Sequence, residues 1–162
     1  MADNAKSVAD ETISTTLKSL LNSFPGLDGK EIVFSSLRTK QGFTFYPVSG
    51  TAVINTQEDI TGFVTQTCEY KFSIVYRFAP QSEEHRFRVK ELLDDIGKWL
   101  ERQPVRANGE VHQLPKYPAL PGGMKIKSIT RLGAGRIEAA FQDGVEDWSI
   151  PITLQYENKF ER

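Results

Sequence analysis

A single cysteine, Cys68, leaves this chain of 162 residues with no intramolecular disulfide and no cysteine-based metal cluster. Histidine is almost as scarce. A zinc site built on His85 and His112 would need two further ligands from carboxylates, and the spacing points to none. A surplus of one charge is missing too. The 20 basic and 21 acidic residues leave a net charge of −1, without the excess of cations that tight nucleic-acid binding draws on. No apolar run approaches the length of a membrane span, and the polar N-terminus has no signal-peptide core. The expectations are therefore no cofactor, no metal, no membrane and no specific nucleic-acid binding, in a protein made in a reducing cytoplasm.

Chemical motifs fail in the same way. Gly133-Ala134-Gly135-Arg136-Ile137-Glu138 begins like a dinucleotide fingerprint, but the third glycine is missing and no helix follows. It reads as a glycine-rich hairpin turn. Pro121-Gly122-Gly123-Met124-Lys125 lacks the P-loop spacing and leads into a strand, whereas phosphate cradles use a helix N-terminus. Glu83-Glu84 and Asp94-Asp95 are neighbours on an expected helix, so their side chains diverge by about 100° and form no acid–base dyad. No serine has a nucleophile-elbow context, and Cys68 within a strand is a poor nucleophile. The sequence assigns no catalytic, cofactor-binding or metal-binding residue, and the expectation is a protein that is not an enzyme.

What the chain does have is alternation. From Gly62 to Ala79 the positions Cys68, Tyr70, Phe72, Ile74, Tyr76 and Phe78 are apolar. Thr65, Thr67, Glu69, Lys71, Ser73 and Arg77 between them are polar, with Val75 the exception. Side chains along a strand point alternately to opposite faces, so this is a half-buried antiparallel strand of unusual length. At about 3.3 Å per residue it spans roughly 55 Å. A compact domain of this size has a diameter of roughly 40 Å, so the strand either bends sharply or reaches beyond its domain. Trp148–Phe160 repeats the alternation, and Pro151, lacking a backbone donor, predicts a sheet edge there. The aromatic series Tyr70, Phe72, Tyr76 and Phe78 reads as core rather than as a stacking platform for bases.

Around these strands the spacing predicts a helix over Val8–Ser23, opened by a capping box of Ser7 and Asp10 and ended by Pro25-Gly26. A strand follows at Glu31–Leu37, a turn at Lys40-Gln41-Gly42, then a short hairpin of Phe43–Pro47 and Thr51–Asn55 around Ser49-Gly50. A second helix starts at an N-cap, Ser82, and ends near Arg102, with Val89, Leu92, Leu93, Ile96, Trp99 and Leu100 as its apolar stripe. Residues 103–123 read as a long proline-rich loop, and Met124–Leu132 and Arg136–Gln142 as two strands joined by a tight turn at Gly133-Ala134-Gly135. The fold class is α+β, a mostly antiparallel sheet with long strands packed against two amphipathic helices. One domain, 1–162, is expected, with 1–6 flexible.

Leu17–Gly26 (LKSLLNSFPG), Ser73–Ala79 (SIVYRFA) and Arg88–Glu101 (RVKELLDDIGKWLE) carry a resemblance, together with the order of elements. They resemble the bacteriophage tail-terminator or minor capsid family of prophages of Gram-positive bacteria. That resemblance implies an α+β subunit assembling with itself into a ring, commonly a hexamer. Such a ring caps the tail tube, stops its polymerisation and joins the head. Its partners would be the tail-tube protein and a head-completion or neck protein, and its place the tail or neck of the virion, after assembly in the host cytoplasm. Candidate contact residues are Gln57 and Asp59 in a loop, Thr67, Glu69 and Lys71 on the polar face, Pro115, Tyr117 and Pro118 in the proline-rich segment, and Pro151. Two other readings stand beside it: a head–tail connector protein, and a small-ligand or peptide-binding α+β domain.

Overall fold

The computed structural model describes residues 2–35 and 41–162. Its elements run α1 (Ala2–Asn22), β1 (Ile32–Phe34), β2 (Gly42–Glu58), β3 (Phe63–Phe78), α2 (Glu83–Leu100), β4 (Val105–Ala107), β5 (Glu110–His112), β6 (Met124–Arg131), β7 (Arg136–Ala140) and β8 (Glu146–Glu161). The expected long strand is β3, and all 16 of its residues pair antiparallel with β8, from Phe63 opposite Glu161 to Phe78 opposite Glu146. The main sheet has the order β1-β2-β3-β8-β6, with β7 also on β8 and β4-β5 a separate pair. Only β1 on β2 is parallel among the described pairings. The class is α+β with a mostly antiparallel sheet.

Because paired residues share a face, the apolar positions of β3 line up with Ile150, Ile152, Leu154 and Tyr156 of β8 and with Phe43 and Phe45 of β2. Ile13, Leu17 and Leu21 of α1 and Leu93, Ile96 and Leu100 of α2 join the same buried cluster. The Ser82 hydroxyl accepts the His85 backbone N–H at 3.1 Å, with Glu83 and Glu84 in the first turn of α2. The side chain of Asn22 accepts the Ile32 N–H at 2.8 Å and donates to the Ile32 carbonyl at 2.9 Å, tying the end of α1 to β1.

Several expectations are corrected. The first helix begins at Ala2, so Ser7 is no N-cap and residues 2–6 are helical; no glycine or proline interrupts that stretch. The strand at Glu31–Leu37 is seen as Ile32–Phe34. Its last residues, like Lys40 of the expected turn, lie outside the described residues. Ser49-Gly50 makes no hairpin. β2 is one strand of 17 residues, because β3 offers partners to both halves, and the surplus residues are absorbed by bulges between Pro47 and Thr51 and between Val53 and Asn55. The segment 103–123 contains the hairpin β4-β5, turned at Asn108 (φ 54°) and Gly109 (φ 77°), both in the left-handed region that a tight two-residue turn requires.

Nor are β6 and β7 a hairpin. Both run antiparallel along the same side of β8, Arg131 opposite Ile152 and Arg136 opposite Ser149, so they form one strand interrupted at Leu132–Gly135. Pro151 sits at this gap. It lies inside the sheet, not at an edge, between Ser73 of β3 and the interruption, where its carbonyl accepts the Leu132 N–H at 2.8 Å. A residue's N–H and C=O point to the same side in an antiparallel strand, so the donor that proline lacks faces the break and no ladder bond to β3 is lost.

Candidate interaction surfaces

The face of the sheet opposite the helices carries the odd positions of β3. At its centre Thr44, Val75, Ser149 and Thr153 are buried. At one end Arg77 donates to both carboxylate oxygens of Asp147, at 2.7 and 2.8 Å, while its guanidinium lies 5.0 Å from the Phe141 ring centre. Burial, and then the charges of Glu138 and Asp147, push the Tyr46 phenol up. Towards the other end the surface becomes charged and open, with Lys71 3.6 Å from Glu69. Thr67, Glu69, Lys71 and Pro151 all belong to this face, as does Gln57 opposite Thr65.

The second surface is the tip joining β2 to β3. The carboxylate of Asp59 accepts the Thr61 hydroxyl at 2.6 Å and the N–H groups of Thr61 and Phe63 at 2.9 and 3.0 Å. These bonds, the Thr61 hydroxyl foremost, hold its carboxyl below the usual carboxylate range. Gly62 closes the turn at φ 86°. The fixed loop displays Ile60 with its whole side chain in solvent, at 105% of the reference exposure, beside the exposed Phe63. Every residue from Ala52 to Thr61 is exposed.

The third is a cleft of about 660 Å³ on the opposite edge of the sheet, between the proline-rich segment and the start of β6. Arg102, Lys116, Lys125 and Lys127 give it four cations around Tyr117 and Pro118. The Tyr117 hydroxyl donates to the Leu100 carbonyl at 2.7 Å and accepts the Ile129 N–H at 3.3 Å, pinning the segment to α2 and β6. Burial raises its pKa. Arg102 donates to the carbonyls of Leu114 and Pro115, and Lys127 lies 3.6 Å from Glu157.

The sequence candidates thus fall into separate places. Thr67, Glu69, Lys71, Gln57 and Pro151 share the open face, Asp59 shapes the tip, and Tyr117 and Pro118 line the cleft, with Pro115 in the same segment. The residues that sequence reading missed are Ile60, Lys116 and Lys125. A turn sequence of Asp59-Ile60-Thr61-Gly62 carried the signal for the first, an apolar residue where turn chemistry favours polar ones. Cys68 is buried, which raises its thiol pKa. Among the described residues no helix is long and apolar enough to cross a membrane.

No protein-family model and no curated protein matches the chain. Among solved structures it is similar to a chain of "Virion of native gene transfer agent (GTA) particle", with a TM-score of 0.48 and 8% identity over 92% of this chain and 94% of that one.

Proposed function

We propose that the chain is a virion assembly protein without enzymatic activity: a tail terminator. Its copies would close a ring, a hexamer, on the end of a phage tail tube, stop its growth and offer a surface to the head-completion protein. The observation that carries this reading is the pair of open edges on opposite sides of one long sheet. β1 covers β2 only at Phe43–Phe45, and the far side of β6 meets only an isolated bridge between Ala119 and Lys125 among the described residues. A subunit with different contact surfaces on two opposite sides makes head-to-tail contacts, and these close into rings when the rotation per subunit allows. The resemblance of Leu17–Gly26, Ser73–Ala79 and Arg88–Glu101 to tail terminators supplies the place for such a ring.

Mass photometry of the purified chain, and electron microscopy after mixing it with purified tail tubes, test the reading. A discrete ring of several 18.3 kDa subunits, bound at tube ends, is the expected result. A chain that stays monomeric and leaves the tube ends bare overturns it.

A further inference from the structure

We infer that the ring is held by insertion of the β2–β3 tip of one copy, Glu58-Asp59-Ile60, into the basic cleft at Lys116, Tyr117, Pro118 and Lys125 of the next. This contact rests on the ring-forming reading above and names the surfaces that meet. Three features of the two surfaces point to it.

The first is charge. The tip has two neighbouring carboxylates, while the cleft has four cations, in a chain whose net charge is only −1. Of those four, Lys127 shares Glu157 with Lys159, at 3.6 and 3.8 Å, and Arg102 is spent on backbone carbonyls. Lys116 and Lys125 make no ion pair among the described residues. Opposite potentials of this kind steer encounter and fix which surface meets which. The existing partner of Glu58 is Arg162, 3.5 Å away with both side chains exposed, a pair that exchanges at little cost.

The second is shape and rigidity. Ile60 is fully exposed on a turn already locked by the Asp59 carboxylate, so ordering it on binding costs little conformational entropy. The cleft offers an apolar floor in Tyr117 and Pro118. The hydroxyl of Tyr117, bonded on both sides, keeps that floor in place.

The third is placement. The tip belongs to the β2–β3 side of the sheet and the cleft to the β6 side, with β8 between them. Both lie at the same end of the sheet, where the Arg162 N–H donates to the Gly62 carbonyl and the Lys159 N–H to the Gly123 carbonyl. The paired β3 and β8 hold them apart, so that a contact between them joins one copy to the next and repeats from copy to copy.

The test uses the full chain in two variants. Ile60→Ser spoils the knob by removing its apolar anchor without adding charge, and Lys116→Glu with Lys125→Glu spoils the socket; all three positions are exposed. Each variant alone should sediment as a monomer that keeps the circular-dichroism spectrum and the cooperative melt of a folded chain, at a lower temperature than the assembled ring. Mixed in equal amounts they should form a 1:1 heterodimer of two 18.3 kDa chains and nothing larger, because only one knob–socket pair stays intact. Raising salt should dissociate that heterodimer. Rings that persist in both variants overturn this contact and leave the ring-forming reading standing. Two monomeric variants that fail to form a heterodimer also overturn it. Bare tube ends with the unaltered chain overturn the ring-forming reading, whatever the variants do.

Discussion

Two substitutions five residues apart on β3 should have opposite consequences, because they sit on opposite faces of the sheet. Phe72 is 0% exposed, with ring centres of Tyr70 and Phe45 at 5.9 and 6.2 Å. Truncating a buried phenylalanine to alanine costs about 3–5 kcal/mol. Phe72→Asp adds an unpaired carboxylate in the same apolar surroundings, at several kcal/mol more near neutral pH. The sum matches a typical stability of roughly 5–15 kcal/mol, so Phe72→Asp should not fold. Thr67 is half-buried on the open face, opposite Glu157 on one side and Asn55 on the other. Thr67→Lys places a cation across from a carboxylate that already has Lys127 and Lys159 nearby, so its net effect stays within about 0.5 kcal/mol. Urea unfolding followed by circular dichroism reads both. Thr67→Lys should keep the midpoint, and Phe72→Asp should show no cooperative transition. Phe72→Ala, as the intermediate case, should lose roughly 2 M of urea midpoint for a slope near 2 kcal/mol/M. Equal loss in Thr67→Lys and Phe72→Asp would refute the division of faces.

Other consequences follow from single groups. Glu146 accepts from Arg86 at 2.9 Å and from Trp148 Nε1 at 3.0 Å, and the Arg86 bond, foremost, lowers its pKa from 4.5. A lowered folded-state value means stability that is present above about 4.5 and lost as pH falls through the lowered value. The midpoint advantage of the unaltered chain over Glu146→Gln should therefore shrink on acidification; an advantage that grows there contradicts the assignment. Asp95 has the opposite sign, since burial and then Glu91 raise its pKa from 3.8. Asp95→Asn should stabilise the fold at neutral pH, with the gain gone below about 3.8, and a pH-independent gain would count against the cause given. In Gly97→Ala the new methyl meets the Arg131 stem, 2.7 Å from its Cγ, and Ile150 Cδ1 at 3.0 Å. Arg131 is held by Glu101 at 3.0 Å, so overpacking of about 1–3 kcal/mol should outweigh the helix-propensity gain of about 1 kcal/mol. A raised melting temperature would show that Arg131 yields freely.

How much of this was legible in the sequence depends on how local each cause is. The alternation around Phe72 placed β3 at Gly62–Ala79 against an observed Phe63–Phe78, and Ser82 marked the start of α2, because each pattern is set by the residue's own surroundings. The same alternation marked Trp148–Phe160, which became the full-length partner of β3. Ser49-Gly50 misled because a serine–glycine pair has local turn chemistry, while the pairing of Pro47 with Phe72 and of Thr51 with Tyr70 is a property of another strand. Pro151 misled for the same reason: its missing donor costs nothing only because β6 and β7 part at that residue. Asn108-Gly109 was legible as a hairpin turn, yet prolines on either side disguised it as loop. The surfaces were least legible, since the cleft joins Arg102, Lys116 and Lys125 from three segments that no short motif spans.

The open edges bear on what kind of contact a ring can use. An unpaired edge of a long flat strand invites another strand, which is how sheet proteins aggregate. Here β2 is bulged between Pro47 and Thr51 and again between Val53 and Asn55, and β6 is bulged between Ile126 and Ser128. The β6–β7 edge is broken at Leu132–Gly135 and touched at Lys125 by Ala119. Each irregularity disturbs the regular spacing of donors and acceptors that a foreign strand would need. Backbone pairing between copies is therefore opposed along both edges, while the side chains at the tip and in the cleft stay presented on rigid supports. Strand addition is tolerant of sequence and has no natural end. A charged knob in a charged socket selects one register and one partner, and that selectivity is what a subunit must have if its assembly is to close and stop.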